Sequence, residues 1–204
     1  MKKSLILLLM AMILVLPGCA QDEAEATVID TPEDMETMIA PMDAIMMYAA
    51  ERGLQYDAED PAVFWRLMYY YIGNHGSEHS LAKEDNGILQ LDRRAVQEFA
   101  AAMFADYDDL MDIPEELSDS VSYDEGMDAY DFSPGDRGLS QSEITGCVKN
   151  EDGSYAVTAR LYDITDDTTI YAARFKLVEN QYVSGIENPL FLYSIESVEE
   201  VVEE

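Results

Sequence analysis

The sequence predicts an α+β fold, with N-terminal helices packed on a C-terminal antiparallel sheet of about four strands. Two observations predict it. Between residues 32 and 107 the apolar side chains recur at helical spacing, i, i+3, i+4 and i+7. From residue 144 the period drops to two, and apolar and polar residues alternate through successive short runs. Helices first and contiguous strands afterwards place the helices over one face of the sheet.

Each helix has a readable start. Thr31-Pro32-Glu33-Asp34 offers an N-cap, a first-turn proline and first-turn acids. Met42, Ile45, Met46 and Ala49 then share a face, and Pro41 breaks or restarts the helix before them. Asp60-Pro61 starts a second helix, with Phe64, Leu67, Met68, Tyr71 and Ile72 on one face. Gly73-Asn74 and Gly76 read as its end. Ile88-Leu89-Gln90-Leu91 reads as a short strand. Asp92 then caps a third helix carrying Val96, Phe99, Ala100, Met103 and Tyr107.

Residues 108–138 are acidic and irregular, with one short strand expected at Val121–Tyr123 and a turn at Ser133-Pro134-Gly135-Asp136. A connection of that length is a binding loop or a plain loop. Beyond it, Tyr155, Val157, Ala159 and Leu161 alternate with Ala156, Thr158, Arg160 and Tyr162. Tyr171, Ala173, Phe175 and Leu177 repeat the pattern, as do Phe191, Tyr193 and Ile195. Asp152-Gly153 is a hairpin signal between strands at 144–150 and 154–163, and Asp166-Asp167 marks the next turn. This order of elements resembles NTF2-like and cystatin-like folds, in which a curved sheet wraps a helix. The resemblance is topological and implies a fold, not a function.

The first nineteen residues have a separate logic. Lys2 and Lys3 precede an unbroken apolar run from Leu5 to Leu16. That length suits a secretory signal and falls short of the roughly 20 residues that span a bilayer. Leu16-Pro17-Gly18-Cys19 follows and resembles the bacterial lipobox, with Pro17 at a position where Ala, Ser or Thr is usual. The resemblance implies a lipoprotein signal peptide at 1–18, cleaved before Cys19. It implies diacylglyceryl transfer to the Cys19 thiol, acyl chains such as palmitate, and a place on the outer face of the cell membrane. Two acyl chains hold a protein stably on a membrane where one does not. Residues 20–31 are acidic and lack aromatics; they read as a tether to an α+β domain at 32–204.

The chain carries a formal charge of −30. Removing residues 1–18 takes away two of twelve basic residues and none of forty-two acidic ones, so the charge becomes −32. A field of that sign repels phosphate backbones and excludes nucleic acid as a partner. With Cys19 lipidated, Cys147 has no partner within the chain, so stability comes from packing without a disulfide. Its place in a strand-like alternation with Thr145 and Lys149 reads as a buried structural thiol.

Three patterns could carry chemistry. His75-Gly76-Ser77-Glu78-His79 matches the H-x-x-E-H string of inverzincin metallopeptidases. That resemblance implies His75 and His79 as zinc ligands and Glu78 as the base, but it needs a helix, and the string falls among helix-ending residues. Asp106-Tyr107-Asp108-Asp109 and Asp163 to Asp167 are carboxylate clusters without the EF-hand spacing, and chance explains them in so acidic a chain. Trp65 with Tyr69, Tyr70 and Tyr71 can line a pocket or, in the case of Trp65 and Tyr71, fill the core. No G-x-S-x-G, phosphate-binding loop, G-x-G-x-x-G or CxxC is present, and the sequence implies no cofactor. The expectation is a membrane-tethered, non-enzymatic domain that binds a protein or small ligand. The alternative is an NTF2-like pocket protein, whether enzymatic or not. A cavity containing a buried carboxylate favours the second; a filled core with an exposed apolar patch favours the first.

Overall fold

The computed structural model describes residues 31–182 and 190–201. The lipobox, Cys19 and the tether up to residue 30 lie outside the described residues. A 3₁₀ turn at Glu33–Met38 leads into α1 (Ile39–Arg52). Pro41 sits in the first turn of α1, where its missing N–H costs no helical hydrogen bond. The next helix, α2 (Pro61–His75), starts as its sequence indicates. The Asp60 carboxylate accepts the amides of Ala62 and Val63, and Pro61 takes the first helical position.

A short hairpin follows, β1 (Lys83–Asp85) and β2 (Ile88–Asp92). Asn86 and Gly87 both hold positive φ, 51° and 78°, the conformation a two-residue primed turn demands. Then comes α3 (Arg93–Met103), capped by the Asp92 side chain on the Ala95 amide. It is shorter than the spacing suggests, for Phe104 already adopts an extended conformation and Tyr107 lies past the helix end. The acidic stretch contributes two strands, β3 (Val121–Asp124) and β4 (Ala129–Phe132). The meander completes the chain as β5 (Ser140–Lys149), β6 (Tyr155–Asp163), β7 (Thr169–Glu179) and β8 (Tyr193–Glu200).

The expected meander is one sheet, ordered β5-β6-β7-β8 and antiparallel throughout. A second sheet joins the two short segments of the first half, in the order β1-β2-β4-β3. The helices therefore lie between two sheets. The inner face of the meander receives α1 across β5, β6 and β7, while α3 packs along β8. The other helix, α2, is enclosed by α1, α3 and β4 of the small sheet. Val157, Ala159, Leu161, Ala173, Phe175 and Leu177 face inward, as the period of two requires. They form one continuous cluster with Met42, Ile45, Met46, Phe64, Leu67, Met68 and Phe99 from the helices. Cys147 is buried in that cluster as a free thiol, and burial pushes its pKa up, the state of an inert thiol. No helix among the described residues is long and apolar enough to cross a membrane.

Gly73 and Asn74 do not end α2, which runs on to His75. Gly73 is a point of close approach. The Gly135 amide donates to the Gly73 carbonyl over 2.9 Å, and a Cβ on Gly73 would stand 3.1 Å from that same nitrogen. A Cβ on Gly135 would meet the Asn74 carboxamide at 2.5 Å. The two glycines let the 133–138 loop lie directly on the last turn of α2.

Candidate functional site

Both histidines of the chain line one cavity of about 160 Å³. Tyr71 and His75 reach it from α2, Glu78 and His79 from the turn after α2, and Phe99 from α3. Thr37 and Ala40 border it from the start of the first helical segment, and Leu190 and Phe191 from the segment before β8. Its walls are aromatic. The Tyr71 and Phe99 rings meet edge to face at 4.8 Å, and Phe191 lies 5.7 Å from Phe99 and 6.1 Å from Tyr71.

Behind each imidazole stands a buried carboxyl group. His75 Nε2 lies 3.0 Å from Asp43 Oδ2, and Asp43 has no exposed surface. Asp43 also accepts the Ser142 hydroxyl from β5 at 2.6 Å and lies 3.2 Å from Arg137 Nη2. The 133–138 loop, seated on α2 through Gly73 and Gly135, is what delivers Arg137 there. Burial pushes the Asp43 pKa up. The hydrogen bonds from His75 and Ser142 and the charge of Arg137 outweigh that, and the net direction is down. Asp43 is therefore the acceptor, and His75 carries its proton on Nε2. His75 Nδ1 has no hydrogen-bond partner among the described residues.

His79 is arranged differently. Its Nδ1 accepts the Leu81 amide at 3.1 Å, which fixes the ring proton on Nε2. Nε2 lies 3.3 Å from Glu98 Oε2 on α3. Both ring nitrogens are thus engaged inside the protein, so His79 is a structural member of the wall.

Three buried polar atoms of this network have no hydrogen-bond partner among the described residues. They are the Tyr71 hydroxyl, which borders the cavity, and Glu98 Oε1 and Arg137 Nε, which lie behind its walls. Tyr71 has no exposed surface, and its pKa is raised well above the ordinary value, first by burial and then by the charge of Glu78.

The H-x-x-E-H string does not take the helical form that zinc binding in that family needs. His75 ends α2, Gly76 to Glu78 form a 3₁₀ turn, and His79 is extended. The two imidazoles turn to different carboxyl groups on different helices. Among the described residues no group of three or more His, Cys, Asp or Glu side chains is placed to hold a metal ion. The acidic clusters serve local turns. Asp163 accepts the amide and hydroxyl of Thr165, Asp167 binds Arg160, and Asp109 binds Arg93 and the Leu110 amide. Trp65 is core, its Nε1–H donated to the Met111 carbonyl at 3.0 Å, whereas Tyr71 is both core and cavity wall.

A larger depression, about 490 Å³, lies between Ser80, Lys83, Gln90, Asp92, Met127 and Ala129. None of those residues holds a buried unpartnered side-chain atom. Asp43, Glu98, Ser142 and Arg137 were not singled out in the sequence. Two of them had a signal. Asp43 interrupts the apolar run Ile39 to Ala50, and Glu98 stands between Val96 and Phe99 on an apolar helix face. No family model, no curated protein and no solved structure matches this chain.

Proposed function

We propose that the chain is a lipid-anchored extracytoplasmic domain that binds a small ligand in the cavity walled by Tyr71, His75, Phe99 and Phe191. The observation that carries the ligand reading is the Tyr71 hydroxyl. It is fully buried, borders a cavity and makes no hydrogen bond among the described residues. Leaving a buried hydroxyl unpaired costs about 1–3 kcal/mol, and a ligand or water that enters the cavity can supply the missing bond. At about 160 Å³ the cavity is smaller than a drug-sized pocket, but its apolar walls and few convergent polar groups are of the kind that orient a small molecule. The anchor reading rests on Lys2, Lys3, the apolar run to Leu16 and the Leu16-Pro17-Gly18-Cys19 string.

The two halves have separate tests. Cells expressing the chain incorporate labelled palmitate into it, and Cys19→Ala removes the label; label that persists in that variant contradicts the anchor. For the cavity, a panel of small organic molecules is screened by thermal shift against the full chain in detergent. At least one compound raises the melting temperature, and Ala40→Phe, which fills the cavity from its rim, removes the effect. A panel without effect on the unaltered chain contradicts the ligand reading.

The enzymatic alternative, a pocket protein of NTF2-like type, is favoured by one feature. The Asp43–His75 pair leaves Nδ1 as an oriented lone pair at the cavity wall, an arrangement suited to a general base. Turnover of a bound compound that is lost in His75→Gln while binding persists would establish that reading.

A further inference from the structure

We infer that the cavity selects a small organic cation, an ammonium group on an apolar body of about benzyl size. The inference rests on the ligand reading above and adds the chemistry of the ligand. It follows from charge, hydrogen-bonding capacity and wall composition taken together.

Among the described residues of the lining Glu78 is the one acidic side chain, and no Lys or Arg is present. The nearby guanidinium, Arg137, is already engaged with Asp43. The chain as a whole adds a negative field, with a formal charge of −30. An anionic ligand therefore meets no counter-charge, whereas a cation meets the Glu78 carboxylate directly.

The hydrogen-bonding groups are weighted the same way. His75 Nδ1 has no partner among the described residues, and in the neutral imidazole, with Nε2–H committed to Asp43, it offers a lone pair. Thr37 has already donated its hydroxyl proton to the Asp34 carbonyl, so its oxygen is an acceptor as well. Against these, the Tyr71 hydroxyl is the one unspent side-chain donor among the described residues of the lining. A ligand rich in N–H donors satisfies this set, and an ammonium has three.

The remaining wall is made of rings. Tyr71, Phe99 and Phe191 lie within 6.1 Å of one another, centroid to centroid. Aromatic rings attract a cation through their quadrupole and pack against an apolar body equally well. The volume sets the size. A cavity of about 150 Å³ accommodates a benzene molecule, close to the 160 Å³ of this one.

The test is isothermal titration of the full chain in detergent with three compounds of the same shape, namely benzylammonium, benzyl alcohol and benzoate. Benzylammonium is expected to bind at one site, about tenfold or more tighter than benzyl alcohol, and benzoate not at all. Glu78→Gln, a change at an exposed position that leaves the core untouched, is expected to weaken benzylammonium about tenfold and leave benzyl alcohol unchanged. Benzoate or benzyl alcohol binding as tightly as benzylammonium overturns the cation inference and leaves the cavity as a ligand site. An unchanged benzylammonium affinity in Glu78→Gln also overturns it. Silence from all three compounds overturns it too, and the panel with Ala40→Phe then decides the cavity reading on its own.

Discussion

His75, the last residue of α2, donates its Nε2–H to Asp43 in the buried interior of α1 over 3.0 Å. The bond ties two helices together at the floor of a cavity and fixes the direction of the imidazole. Asp43 is in turn held by Ser142 from β5 and Arg137 from the preceding loop. A carboxylate is costly to bury unless it is paired and hydrogen-bonded, and here both oxygens are satisfied.

That arrangement makes a prediction about acid. Asp43 titrates below its ordinary value in the folded chain, so the unfolded chain binds its proton more tightly. Its contribution to stability is complete above the unfolded value of 3.8 and is lost as the pH falls through the lower folded value. Urea unfolding of the full chain should therefore lose stability more steeply between about pH 5 and pH 2 than the Asp43→Asn variant does. Parallel curves would contradict the assignment. Other acids with depressed values, such as Asp109 and Asp152, are present in both chains and cancel in the comparison.

Tyr71→Phe separates binding from folding. Removing a buried hydroxyl that has no partner, while keeping the ring, is expected to leave the ligand-free chain as stable or more stable by about 1 kcal/mol. The same change should weaken whatever ligand the cavity takes. A substitution that strengthens the fold and harms binding marks a group kept for function. A loss of more than about 1 kcal/mol in urea unfolding would show that the hydroxyl has a structural partner after all.

His79 is predicted to behave as a structural residue. His79→Ala leaves the Glu98 carboxyl group without its partner and the Leu81 amide without an acceptor. Breaking a buried pair in this way destabilises by about 3 kcal/mol. His79→Ala with Glu98→Leu should recover part of that loss, which a double-mutant cycle in urea measures. Additive losses would mean the two side chains are not coupled.

Gly76 is predicted to be intolerant of a methyl group. A Cβ there would lie 2.7 Å from both Ile72 Cγ2 and Leu89 Cδ2, where α2 turns against β2. Gly76→Ala should lower stability by about 1–3 kcal/mol, read as a lower melting temperature. An unchanged melting temperature would show that β2 can move away.

Much of this fold was legible. Asp60, Asp92 and the Asp152-Gly153 turn each declared an element boundary through local hydrogen bonding, which sequence displays directly. The periodic runs declared the buried faces of α2 and β6. The second sheet was not legible as a sheet. Its strands are three to five residues long, too short for a period to register, and β2 finds β4 across about forty residues of chain. Asn86-Gly87 does announce the β1–β2 hairpin, through a turn chemistry that is local and independent of any period. Gly73 misled because a glycine near a helix end has two meanings, a terminator or a contact point, and only the 133–138 loop distinguishes them.

The cavity was partly legible. His75, Glu78, His79 and Tyr71 were marked by residue type, and all four border it. What sequence could not give is the partner of each imidazole. Asp43 precedes His75 by a whole helix and Glu98 follows His79 across the small-sheet hairpin, so both pairings depend on helix packing. The same packing separates the histidines that the metallopeptidase string would place on one helix face.

The most direct measurement is native mass spectrometry of the full chain released from its membrane in mild detergent. The account predicts a lipidated polypeptide beginning at Cys19 that carries one small organic molecule, lost in Ala40→Phe. A clean ligand-free mass, together with a thermal-shift panel that finds no binder, would contradict the claim that this cavity is a ligand site.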